Sequence, residues 1–192
     1  MNFEIIQPNT DKVNPSEPFL LKTRIFEDSR GYFLEIFQKK ALAELGFKEE
    51  FVQDNIAYST QNVLRGMHFQ MKPKSQGKFV ICLQGEIVDV VVDVRKNSPT
   101  FGEWQKFSLS AENGHLVYIP VGFAHGYVVK SPESLVMYKT TNDYAPEVDS
   151  GFIWSDPDVG IDWGIEDPIV SDKDNMLTPL ADAKNNFEYG MI

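Results

Sequence analysis

Residues 78–94 read Lys-Phe-Val-Ile-Cys-Leu-Gln-Gly-Glu-Ile-Val-Asp-Val-Val-Val-Asp-Val, two apolar runs hinged on Gly85. Phe79–Leu83 and Ile87–Val94 flank Gln84-Gly85-Glu86, so the stretch predicts a β-hairpin. The second run is almost all β-branched, the composition of a strand covered on both faces or set in a tight barrel wall. Asp89 and Asp93 punctuate it. Outward from the hairpin, Gln105–Leu109, Leu116–Ile119, Gly126–Val129 and Leu135–Thr141 repeat the pattern, with Asn113-Gly114 and Pro120-Val121-Gly122 supplying turns. Short strands and short turns predict an all-β sandwich or barrel. Helix is scarce. Gln38–Leu45, with Leu42 and Leu45 on one face and Gly46 just past its end, predicts one short peripheral helix.

The 192 residues fit a single domain, 1–192, with arms at about 1–20 and 164–192 that are richer in Pro, Asn and Asp. Such arms often pack on a partner subunit, and a homodimer is expected. Lys and Arg number 18 against 28 acids, a net charge of −10 that repels phosphate backbones and argues against nucleic acid as a partner. A phosphorylated small substrate stays compatible, because a few cations in one cleft reverse the local sign. The single cysteine, Cys82, lies inside an apolar run and reads as a small core residue, consistent with a reducing cytoplasm. Neither a secretion signal nor an apolar run long enough to span a bilayer is visible, so no membrane association is expected.

Gly114, Pro120, Gly122 and His125 have the spacing of the second signature of the cupin barrels. Arg65-Gly66-Met67-His68-Phe69-Gln70 stands where the first signature places two histidines, but the second is Gln70 here. Lys78 stands where a metal-binding cupin carries glutamate, and a protonated amine does not ligate a divalent metal. The expected metal set is therefore none. Taken alone, His125 reads as a satisfied barrel histidine and Lys78 as a solvated lysine.

A longer ordered set of motifs is similar to the dTDP-4-dehydrorhamnose 3,5-epimerase family. It comprises Arg30-Gly31-Tyr32-Phe33-Leu34-Glu35, Gln53-Asp54-Asn55, Val63 through Gln70, Gln76-Gly77-Lys78, Ser98-Pro99-Thr100-Phe101-Gly102, Ile119 through Gly126 and Gly160-Ile161-Asp162-Trp163. The likeness runs from about residue 24 to 180. It implies a cupin-type jelly roll, no cofactor, and a dTDP-linked 4-keto-6-deoxy sugar epimerised at C5 and C3, a step of dTDP-rhamnose biosynthesis. Both carbons lie beside the C4 ketone. Removing either hydrogen leaves an enolate, which calls for a base on one face, a cation or donor at the ketone oxygen and an acid on the other face.

The resemblance assigns those roles. His68 is the base, suited by the ordinary imidazole pKa of about 6.5. Asp174 is its dyad partner, Tyr138 the donor to the opposite face, and Lys78 the cation at the C4 oxygen. Arg30, Glu35, Gln53, Asp54, Asn55, Arg65, His125, Asp149 and Lys173 fall where the family contacts the nucleotide, its diphosphate or the sugar. Guanidinium forks suit phosphate oxygens at Arg30 and Arg65. Two departures stand out: Asp149 replaces the usual glutamate before Gly151-Phe152-Ile153-Trp154, with Glu147 two residues earlier, and Met67 replaces the commoner leucine. Singly, Tyr138 reads as a packing aromatic, Asp174 as a solvated acid and His68 as core; the ordered set reverses that. Rival readings are a single-centre epimerase on a related keto sugar, a non-catalytic sugar-nucleotide-binding cupin, and a metal cupin holding metal at His68 and His125.

Overall fold

The computed structural model describes residues 2–191; Met1 and Ile192, the tips of the two expected arms, lie outside the described residues. Among the described residues thirteen strands follow one another. They are β1 Phe3–Gln7, β2 Phe19–Thr23, β3 Ile25–Asp28, β4 Gly31–Leu34, β5 Gln53–Thr60, β6 Leu64–Gln70 and β7 Lys78–Gln84, then β8 Glu86–Asp93, β9 Trp104–Ser110, β10 His115–Ile119, β11 Phe123–Val129, β12 Glu133–Thr140 and β13 Asp149–Gly151. Two short helices accompany them, α1 Lys39–Glu44 and α2 Asp172–Asn175.

The strands form a six-stranded sheet, ordered β1-β2-β10-β7-β12-β5, facing a five-stranded one, ordered β13-β6-β11-β8-β9; β3 and β4 make a separate hairpin. All pairings between these strands are antiparallel. This is the cupin-type jelly roll, all-β with few short peripheral helices.

Strand alternation separates three apolar layers. Val80, Cys82, Ile87, Val91, Phe107, Val117, Tyr127 and Val136 meet between the sheets. Phe19, Phe47, Phe79, Ile81 and Tyr118 cover the outside of the six-stranded sheet, under Ala41 and Leu42 of α1. Val90, Val92, Ala124 and Val128 look out from the five-stranded sheet onto Phe152, Trp163, Leu180 and Phe187. Strand β8 is thus buried on both faces, as its β-branched composition predicts.

The two terminal stretches pack on their own chain. Strand β1 pairs with β2 at the sheet edge, and the stretch after β13 lies over the five-stranded sheet, held by Leu64 N–H to Ile169 O and Ile153 N–H to Thr178 O, both at 2.9 Å. Helix α1 is shorter than Gln38–Leu45, and Gly46, at φ 100°, closes it.

Candidate active site

The apolar filling between the sheets stops short of one end, where inward positions turn polar. A cavity of about 470 Å³ opens there, lined by Arg65, His68, Lys78, His125, Tyr127, Tyr138, Lys173 and Asp174 among others. A second hollow of about 360 Å³ adjoins it, sharing His68, Lys78, Tyr138 and Lys173 and adding Gln53, Asn55, Gln76, Thr140, Tyr144 and Asp149. The two make one cleft.

His68 points inward from β6, and its Nε2 lies 2.8 Å from Oδ1 of Asp174. Asp174 is brought there by α2, whose N-cap, Ser171, accepts the Asp174 N–H at 3.1 Å. The other carboxylate oxygen accepts the Gly66 N–H at 3.2 Å. Burial works to raise the Asp174 pKa, but the His68 contact and charge, with the Gly66 and Ser171 bonds, outweigh it and hold it below the usual carboxylate range. A carboxylate so held can orient the ring and stabilise a protonated imidazole.

Lys78 and Tyr138 come from the opposite sheet, Lys78 from the start of β7 and Tyr138 from the neighbouring β12, where it is paired with Val80. Burial pushes the Lys78 ammonium down to about 8, against the charges of Asp149 and Asp89. Burial also raises the Tyr138 phenol, with Arg65 opposing and Asp149 and Tyr144 adding to the rise, so Tyr138 stays protonated at neutral pH. His125, cross-strand from His68, is driven well below the ordinary imidazole value by burial and by the nearby Lys78 and His68. A ring held in this cleft therefore meets an imidazole from one sheet, a phenol from the other and an ammonium beside them.

The nine expected binding residues divide. Gln53, Asn55, Arg65, His125, Asp149 and Lys173 line the cleft. Arg65 bonds Ser59 Oγ at 3.0 Å, Gln53 bonds Asn55 at 2.8 Å, and Lys173 pairs with Asp149 at 2.6 Å. Three lie elsewhere. Asp54 falls between Gln53 and Asn55, so strand alternation turns it away, onto Lys139 at 2.6 Å. Arg30 sits in the β3–β4 turn, its side chain 87% exposed and paired with Asp28 at 2.6 Å. Glu35, just beyond β4, accepts from Gln38 at 3.1 Å.

Gln70, in place of the second cupin histidine, accepts the Ala145 N–H at 2.9 Å and donates to Asp143 O at 2.9 Å, which ties down the loop after β12. That loop carries Tyr144, which reasoning from sequence missed and which stands in the cleft with its hydroxyl 3.3 Å from Asp149. Asp89 was marked only as an interruption of β8; it is fully buried, 3.4 Å from His125 Nδ1. An acid in an otherwise valine-rich strand was the available signal.

Known proteins resemble this chain along most of its length. An epimerase from Shigella flexneri, named dTDP-4-dehydrorhamnose 3,5-epimerase, is 47% identical over 176 residues, 91% of this chain and 97% of its own. The crystal structure of dTDP-4-dehydrorhamnose 3,5-epimerase from Bacillus anthracis, with TDP and PPi bound, superposes with a TM-score of 0.86 at 43% identity, covering 92% of this chain and 99% of that one. The dTDP-6-deoxy-D-glucose-3,5-epimerase of Legionella pneumophila, in complex with dTDP-4-keto-L-rhamnose, gives 0.85 at 41% identity, covering 93% of each chain. The sequence model of the dTDP-4-dehydrorhamnose 3,5-epimerase family matches residues 13–182, and with that span containing the whole cleft, the chain belongs to this family.

Proposed function

We propose that this chain epimerises C3 and C5 of dTDP-4-dehydro-6-deoxy-D-glucose, giving dTDP-4-dehydro-L-rhamnose. The observation that carries the reading is His68 on one sheet, backed by Asp174 of α2, facing Tyr138 and Lys78 on the other sheet. His68 removes the hydrogen beside the ketone, and Asp174 steadies the imidazolium. The enolate oxygen is met by Lys78, a contact that strengthens as negative charge develops. Tyr138 returns a proton from the opposite face, which inverts the centre. Arg65 and Lys173 give the cleft local positive charge in a chain of net charge −10, which suits a diphosphate. Nothing in this sequence of steps calls for a metal or cofactor.

The chain is read as one domain that works in the cytoplasm as a homodimer. An aromatic hairpin supports the dimer: Phe26, Tyr32 and Phe33 on β3 and β4 are exposed, as are Ile56 and Tyr58 on the edge strand β5. Arg30 and Glu35 lie at this hairpin, outside the cleft of their own chain. Sedimentation should show a species of two chains that Phe33→Asp converts to one; a wild-type single chain refutes the dimer.

Proton NMR of dTDP-4-keto-6-deoxyglucose with the protein in deuterated water tests the reaction. Exchange at both C3 and C5 is expected. Exchange at one carbon identifies a single-centre epimerase, and none with folded protein overturns the catalytic reading.

A further inference from the structure

The two histidines in the wall of the cleft are cross-strand partners, His68 on β6 opposite His125 on β11, and each ring has a carboxyl behind it from another element. For His68 this is Asp174, 2.8 Å from Nε2. For His125 it is Asp89 on β8, the strand next to β11, with Oδ2 3.4 Å from Nδ1. Asp89 is shut off from solvent, and its other oxygen, Oδ1, has no hydrogen-bond partner among the described residues. A buried carboxyl with half its acceptor capacity unused is costly to a core. The flanking positions Val88, Val90, Val91 and Val92 are all valine, so packing alone gives no reason for an acid at 89.

We propose that Asp89 is a positioning residue of this site: it accepts a hydrogen bond from Nδ1–H of His125, which turns the Nε2 lone pair toward the cleft to receive a substrate hydroxyl. Two observations support it. His125 lines the cleft and makes no other side-chain hydrogen bond among the described residues. Asp89 Oδ1 has no partner among the described residues, so the contact to His125 is the carboxyl's one side-chain hydrogen bond there. The groups that act on this centre are Asp89 from β8, Asp149 from β13, His125 from β11 and His68 from β6, with Tyr138 of β12 lining the same cleft. The hydroxyl's identity as a sugar hydroxyl rests on the epimerase reading; the tautomer does not.

The first test needs no activity. The chain has three histidines, so two-bond proton–nitrogen NMR spectra of the 15N-labelled full chain can be assigned with His115→Gln and His125→Gln. A neutral His125 ring protonated at Nδ1 is expected near pH 7, and protonation at Nε2 overturns the proposal. The second test is Asp89→Leu, which removes the acceptor behind Nδ1, followed by substrate kinetics. KM should rise by about tenfold or more with a smaller change in kcat, because a His125 ring without its partner no longer holds Nε2 toward the substrate hydroxyl. A KM that stays in place while stability or kcat declines assigns Asp89 a packing role and overturns the proposal. Should Asp89→Leu fail to fold, the wild-type tautomer decides. A wild-type protein that exchanges neither C3 nor C5 hydrogen overturns the epimerase reading and leaves that tautomer test in force.

Discussion

The contact between His68 and Asp174 joins residues 106 positions apart in sequence, and the chemistry depends on each being held by its own local bonds. His68→Ala should abolish wash-in of solvent deuterium at the sugar carbons, a loss on the order of 10²–10⁴ for removal of a general base; retained exchange removes His68 from that role. Tyr138→Phe should behave differently, with proton abstraction continuing while inverted product fails to accumulate. Equal loss of exchange and turnover would contradict the division of roles between the two residues. At this scale the sequence was partly legible. The four residues proposed as catalytic came from their resemblance to family motifs. Asp54 could not be separated from Gln53 and Asn55, because its turning away depends on Gln53–Thr60 being a strand, and three polar residues in a row hide that period.

Strands β5 and β6 show why some elements escaped the hydrophobic reading while their neighbours did not. Their inward positions include Asn55 and His68 where β7 and β8 carry Val80, Cys82 and Ile87, so the strands that build the cleft are poor in apolar residues on the face that marks their neighbours as strands. What holds β6 in place is a close approach of backbones: a Cβ on Gly126 would lie 2.7 Å from Arg65 O and 2.9 Å from Met67 Sδ. Gly66 needs its own freedom, at φ 139°. The register between the strands shifts at this point, between His125 and Tyr127. Gly126→Ala should therefore cost about 1–3 kcal/mol by overpacking and displace His68 and His125 together. Thermal unfolding and kcat should both fall; a variant with unchanged melting and turnover would show that the approach is not needed.

Across the whole molecule, one buried arginine ties the two ends of the chain to the barrel. Arg95 bonds Asp93 at 2.7 Å and Glu17 at 2.9 Å and lies over the rings of Phe123 and Tyr189. Arg95→Met leaves Asp93 buried without its cation, and a loss of about 3–5 kcal/mol is expected in urea unfolding; a loss under 1 kcal/mol would assign the network to surface chemistry. The pH dependence follows from the same pairing. Burial would raise Asp93, but its bonds from Arg95, Ser98 and Thr100 prevail and hold it low, as those of Asp174 do. Groups with lowered folded values contribute stability that is complete above the ordinary carboxylate pKa of about 3.9 and is lost as pH falls through the folded values. Expected stability is thus insensitive to these two acids at neutral pH and drops in strong acid. The barrel class was readable from strand composition; the packing of the two arms onto their own chain was not, because their few apolar residues are scattered among Pro, Asn and Asp. That packing has a temporal consequence. The strands of both sheets have all been made once Gly151 is in place, yet the carboxylate behind the base lies on α2, in the stretch that folds back over the five-stranded sheet. The His68–Asp174 contact therefore becomes possible only after the residues of every strand have been synthesised.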